Sequence, residues 1–266
     1  HQLLVLAIAV IGTTVYLEYL TPHLKTPATV VSTLGISLSF FIGFLNSHAH
    51  DRWMQARAGF GGVQRGCRNF ARMVLAYIAA QEEGDEDREA RALQKRLIHR
   101  QIAVIQATKA RLRSDRAEGY LEYLDDDDVA GIKGKSHVPL AILLLQARTL
   151  HDAVRSNHLD SYRMMGINAA LNDTTAAIAT CDRIHGTPFF PFYLTIVRSA
   201  VWAFLVVFPM AIADAAGYWA ILYTFLIGMI FTWLVDSAYG LMKPFEPIHS
   251  GVAIDDLTRT TEIDLL

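Results

Sequence analysis

His48, His50 and Asp51 place two imidazoles and a carboxylate within four residues, the kind of donor set that holds a transition metal. On a helix, residues two apart point about 200° away from each other, so His48 and His50 cannot readily grip one ion. The expectation is a solvated or interfacial pair. A membrane-bound metal-dependent enzyme or scaffold using His48, His50 and Asp51 is the alternative. Elsewhere the chain offers no nucleophile–base pair, phosphate-binding loop or credible metal ligand set, which argues against an enzyme and implies no cofactor. Asp125 to Asp128 is a run of carboxylates without the spaced ligands and glycine of a calcium loop, and it reads as a solvated loop. Cys67 and Cys181 lie far apart and neither belongs to a Cys-x-x-Cys pair, so they indicate neither a metal site nor a disulfide framework.

Ile36, Phe40 and Phe44 suggest passage rather than reaction. Four residues apart, they are rotated by only about 40° from one to the next on a helix and form one stripe. Such a stripe ordinarily packs against a neighbouring helix or lipid, and periodicity alone favours that. Facing the axis of a symmetric oligomer, it would instead make a narrow, poorly wetted constriction that a small rotation opens or closes. Arg52, Trp53 and Arg57 are expected at the membrane interface, and Arg198 and Asp236, near the ends of apolar runs, are expected to snorkel or pair.

The elements that carry these residues follow from the distribution of charge. Four uncharged apolar runs, Leu3 to Leu17, Ala28 to Leu45, Ser199 to Ala213 and Ala215 to Val235, bracket a charged middle. About 18 residues of helix span about 27 Å, close to the hydrocarbon thickness of a bilayer. The 266 residues are 52% hydrophobic with a mean hydropathy of +0.26, too apolar for an ordinary soluble domain; at 19% charged they are too polar for a chain lying wholly in lipid. The expected fold is an all-α membrane protein with four transmembrane helices and a cytoplasmic helical bundle. Residues 1–46 carry the first two transmembrane helices, 47–188 the cytoplasmic helical region, 189–240 the third and fourth transmembrane helices, and 241–266 a cytoplasmic C-terminal segment. The chain opens on His1, and because its first run leads straight into another apolar segment it reads as a spanning helix rather than a signal peptide. The loop Thr21 to Pro27 holds only Lys25 and that around Asp214 to Gly217 no Lys or Arg, which places the Lys- and Arg-rich insert and both termini in the cytoplasm. A net charge of -2, with basic and acidic residues interleaved, excludes a nucleic-acid partner.

Within the insert, Val63, Cys67, Phe70, Val74 and Tyr77 recur at helical spacing, as do Leu93, Leu97, Ile98, Ile102, Ile105 and Leu112, then Val138, Ile142 and Leu145, then Ile167, Leu171, Ala177 and Ile178. Gln81 to Glu89, Asp125 to Asp128 and Gly131 to Gly134 read as loops, with a helix start near Pro139. The segment Thr187 to Phe192 reads as a stiff elbow, since Pro188 and Pro191 restrict the backbone. No proline separates the second apolar run from Asn46 to Ala58, so one helix is expected to continue out of the membrane.

The segment Phe40 to Arg57, FFIGFLNSHAHDRWMQAR, resembles the pore-helix signature of the bestrophin family: a Gly-Phe pair, an Asn-containing stretch and a basic-aromatic Arg-Trp. Asn172-Asp173, Cys181-Asp182-Arg183-Ile184 and Thr187-Pro188 resemble its approach to the third span. Pro244-Phe245 and the stretch Thr261 to Leu266 are similar to its C-terminal part. The match covers nearly the whole chain and most resembles the bacterial branch. It implies a homopentameric ion channel in the bacterial inner membrane, with lipid and permeant ions as its partners. By that resemblance Ile36, Phe40 and Phe44 form a hydrophobic neck, and a cytoplasmic aperture falls at Tyr162 or its neighbour Arg163. Tyr162 would narrow the exit, whereas Arg163 would give a positive ring favouring anions. Small monovalent anions such as chloride are the expected cargo, with monovalent cations as the alternative. Leu45 departs from the charged or polar residue the family often has there, and His48 and His50 depart from it too. Animal members carry a dense calcium clasp after the Pro-Phe pair; here Glu246 to Gly251 holds a single carboxylate, so calcium gating through that clasp is expected to be absent.

Overall fold

A computed structural model describes residues 2–20, 28–78, 85–114, 118–187 and 191–266. These form helices α1 (Gln2–Val15, extended by a π-helical turn Tyr16–Leu20), α2 (Ala28–Tyr77), α3 (Asp85–Leu112), α4 (Asp126–Ile132), α5 (Val138–Arg155), α6 (Ser161–Gly186), α7 (Pro191–Ala216), α8 (Trp219–Leu241) and α9 (Ile254–Leu265), with a 3₁₀ turn at Gly119–Tyr123 before α4. No strand occurs among the described residues. The loop Thr21 to Pro27, and Pro188, Phe189 and Phe190 of the expected elbow, lie outside them.

The chain divides into two compact units. The first comprises His1–Trp53, Pro188–Pro244 and Ile248–Ser250. Three helices, Ala28–Tyr77, Phe192–Ala216 and Trp219–Leu241, are long and apolar enough to cross a membrane, and Leu3–Tyr19 is a shorter apolar helix. Their core gathers Val5 from α1, Leu38, Ile42, Leu45 and Ala49 from α2, Val201, Phe204 and Leu205 from α7, and Val235 and Ala238 from α8. Gly228 sits tightly against two neighbouring helices: a Cβ there would lie 2.5 Å from Val5 Cγ1 and 2.9 Å from Leu205 Cδ2. Large apolar side chains such as Leu3, Ile11, Phe41, Leu222, Ile230 and Trp233 remain exposed, a surface that water would disfavour and lipid or another protein surface accepts.

The second unit comprises Met54–Thr187, Phe245–Pro247 and Gly251–Leu266. Its core takes Val63, Cys67, Phe70 and Val74 from α2, Leu97, Ile102 and Ile105 from α3, Ile142 and Leu150 from α5, and Ile167, Leu171 and Ile178 from α6, the apolar positions that recur at helical spacing. α2 is one uninterrupted helix of 50 residues, about 75 Å at about 1.5 Å per residue.

All three loop expectations are corrected, wholly or in part. Asp126 to Asp128 form the first turn of α4, where carboxylates meet the positive end of the helix. Asp128 is 2% exposed and accepts from Arg100 Nε at 2.6 Å and Nη2 at 2.5 Å and from Arg96 Nη2 at 3.0 Å. Arg100, itself buried, also donates to Thr149 Oγ1 at 2.6 Å. The buried guanidinium needs a carboxylate, and this decides the conformation of the acidic run. Likewise Asp85 to Glu89, expected in a loop, is the start of α3. Gly131 lies within α4, while Gly134, at φ +75°, makes the turn before α5. α5 opens with Pro139 in its first turn and His137 as its cap, Nδ1 accepting the Leu140 N–H at 3.3 Å.

Candidate permeation site

The face that α2 turns away from its own unit is defined by what it buries. At about 100° per residue, the buried Val31, Leu38, Ile42, Leu45 and Ala49 fall within about 60° of one another, and Ile36, Phe40 and Phe44 are centred about 170° away. Those three side chains are 61%, 66% and 57% exposed. The hydroxyls nearby offer ions little: Ser32, Thr33, Ser37 and Ser39 each donate to a backbone carbonyl four residues back, at 2.8 to 2.9 Å. Asn46 Nδ2 does the same toward Ile42 O at 3.0 Å. The stripe therefore presents aromatic and aliphatic surface with its polar neighbours turned back onto the helix.

Behind the stripe the helix is held firmly. The ring of Phe204 packs beneath Gly35, where a Cβ would lie 3.1 Å from it, and stacks with Phe208 and Phe231 at centroid distances of 5.2 and 5.7 Å. Arg52 Nε donates to Met242 O at 3.0 Å, tying α2 to the end of α8. Arg198 and Asp236 pair at 3.8 Å, one of the two outcomes expected of them. His48 and His50 are both exposed, and His50 Nδ1 lies 4.0 Å from Asp51 Oδ1. Among the described residues no group of three His, Cys, Asp or Glu side chains gathers to hold a metal.

In the second unit, Tyr162 and Arg163 open α6, where Asp160 caps the helix by accepting their backbone N–H groups at 2.9 and 3.3 Å. Both side chains are exposed, Tyr162 at 83%. The packed face of α6 is marked by Ile167, Ala170, Leu171, Thr174 and Ile178; Tyr162 lies about 140° from its centre and Arg163 only about 40°.

Asp182, Phe245, Glu262 and Asp264, which carry part of the family resemblance, make contacts within the second unit. Asp182 accepts from Arg111 Nε at 2.8 Å and contacts His137 Nε2 at 2.7 Å; because His137 Nδ1 accepts a backbone N–H, Nε2 carries the proton it donates. Burial pushes the Asp182 carboxyl up, but the His137 and Arg111 bonds outweigh it and hold it below its ordinary value. Glu262 accepts from Tyr123 Oη at 2.5 Å and Gln106 Nε2 at 2.7 Å, and that bond to Glu262, more than burial, pushes the Tyr123 hydroxyl up to about 12. Arg68 pairs with Asp264, and Gln64 Nε2 donates to Leu257 O at 3.3 Å, so α9 is strapped to the bundle along its length. The Pro-Phe pair contributes Phe245, whose ring lies 6.5 Å from His185.

Apolar helices of membrane length, a helical bundle and an outward-turned apolar stripe define a helical membrane protein. The family model for bacterial and fungal bestrophin proteins matches residues 1–266, and the chain belongs to that family. It is 30% identical over 238 residues to the voltage-dependent anion channel-forming protein YneE of Salmonella typhi, covering 88% of this chain and 74% of the relative. YneE of Escherichia coli K12 is 28% identical over 237 residues, with 88% and 74% covered. A crystal structure of a bacterial bestrophin homolog from Klebsiella pneumoniae superimposes with a TM-score of 0.90 at 22% identity, covering 100% of this chain and 96% of that one, which shows a shared fold.

Proposed function

We propose that five copies of this chain surround one axis as a passive ion channel of the bacterial inner membrane, with α1, α2, α7 and α8 crossing the bilayer and both termini in the cytoplasm. Ile36, Phe40 and Phe44 form its neck and Tyr162 its cytoplasmic aperture. The observation that carries this reading is the exposure of three large apolar side chains on the face of α2 opposite its buried one. In one subunit that face has no core to fill, and in a pentamer it becomes a dewetting constriction. What favours Tyr162 over Arg163 is its place opposite the packed face of α6. Family membership and the absence of a nucleophile–base pair in the sequence favour conduction over catalysis. The names of the relatives, voltage-dependent anion channel-forming proteins, support small anions such as chloride as the cargo. A monovalent-cation channel of the same architecture is the second reading, favoured by the position of Arg163 beside the packed face of α6.

Single-channel recording of the purified protein tests the neck. Replacing Ile36, Phe40 and Phe44 together by Ala should widen and hydrate the constriction and raise open probability. Currents indistinguishable from wild type would return the stripe to packing.

A further inference from the structure

The face that carries the neck does not end at Phe44. At about 100° per residue, Asp51 lies within about 20° of the mean direction of Ile36, Phe40 and Phe44 and about 150° from the buried face of α2. Leu45 and Ala49, both fully buried, fix the rotation of the helix between Phe44 and Asp51, and the helix has no break there. Seven residues of rise place Asp51 about 10 Å beyond Phe44 along the helix. Its side chain is 65% exposed, and among the described residues the one basic side-chain nitrogen within 4.0 Å of it is His50 Nδ1, at 4.0 Å. The arginine next in sequence is engaged elsewhere, since Arg52 Nε donates to Met242 O. A carboxylate on the outward face, held in rotation by its neighbours and left open to solvent, is placed to act on what passes rather than to stabilise the fold.

We propose that Asp51 is a specificity-determining residue of the pore, a ring of carboxylates just past the neck that admits cations and limits how strongly the channel prefers anions. The proposal rests on the neck reading, because the same rotation that turns Phe40 and Phe44 to the axis turns Asp51 there. Five like charges around a narrow path raise the local cation concentration and lower that of anions. A ring of this kind is a familiar way to favour cations, so an anion channel that carries it discriminates weakly.

The test compares chloride-to-potassium permeability ratios, from reversal potentials in a KCl gradient, for wild type and Asp51→Asn. Removing five charges should raise the ratio by about threefold or more. Asp51→Cys gives a second measurement within one folded protein. Cys67 and Cys181 are buried, so charged methanethiosulfonates should react at the introduced thiol, forming a mixed disulfide and releasing methanesulfinate. A cationic adduct should raise the ratio and an anionic adduct lower it. Wild-type currents with a ratio that neither Asp51→Asn nor the adducts move would overturn the proposal and leave the channel reading standing. Absence of any wild-type current would overturn the channel reading and the proposal with it.

Discussion

Arg100 and Asp128 show how one buried charge organises its surroundings. Both are nearly inaccessible, and their pairing stabilises mainly because either one alone would be a stranded charge. Arg100→Leu should therefore cost about 3–5 kcal/mol, seen as a large fall in the melting temperature of the purified protein, and adding Asp128→Leu should recover most of the loss. The same carboxylate gives a pH dependence. Burial pushes the Asp128 carboxyl up, yet the bonds and charges of Arg100 and Arg96 prevail and hold it below its ordinary 3.8, as happens to Asp182. A depressed carboxyl contributes stability that is complete above the unfolded value and lost as pH falls through the folded one. The melting temperature should accordingly stay level from pH 7 to about pH 5 and drop below about pH 4, and Asp128→Asn should flatten part of that drop. This network was not read from the sequence, where the acidic run looks like a solvated loop. An arginine on the flank of the apolar face of α3 asks for a carboxylate, but four adjacent aspartates do not say which of them answers. Asp51 has the same ambiguity: beside His48 and His50 it resembles a metal ligand, and only the buried Leu45 and Ala49 reveal that it shares a face with Ile36, Phe40 and Phe44.

At the scale of elements, the long helices were the most legible because period and length agree. The apolar run from Ala28 and the amphipathic stretch through Tyr77 join without a proline, and α2 is continuous through both. Close packing was less legible, since a glycine in an apolar helix looks the same whether or not another helix touches it. Gly228→Ala would drive a methyl group into Val5 and Leu205, side chains supplied by α1 and α7. It should cost about 1–3 kcal/mol and lower the melting temperature, whereas Gly43→Ala, where a Cβ meets nothing within 4 Å, should not. The strap formed by α9 was legible only as a motif. That Glu262 holds Tyr123 and Gln106, and that Asp264 holds Arg68, depends on contacts distant in sequence that no periodicity encodes.

The whole molecule is legible in outline from the segregation of charge, which by itself separates apolar segments from a charged helical insert. Assembly is a different matter, because in the proposed pentamer the outward faces would be covered by other copies of the chain, which a single sequence does not contain. Native mass spectrometry of the purified protein should give five times the 29.6 kDa chain mass, and a monomer or dimer would leave the neck unformed. Micromolar calcium should leave open probability unchanged, since Glu246 to Gly251 offers a single carboxylate where a clasp needs several oxygens; reversible activation would show that another site serves. The most direct test of the whole account is the reversal potential of the wild-type protein in a planar bilayer under a tenfold KCl gradient. An anion-preferring pore with Asp51 in its path should reverse between zero and the chloride potential. Reversal at the potassium potential, or no conductance across many fusions, would contradict it.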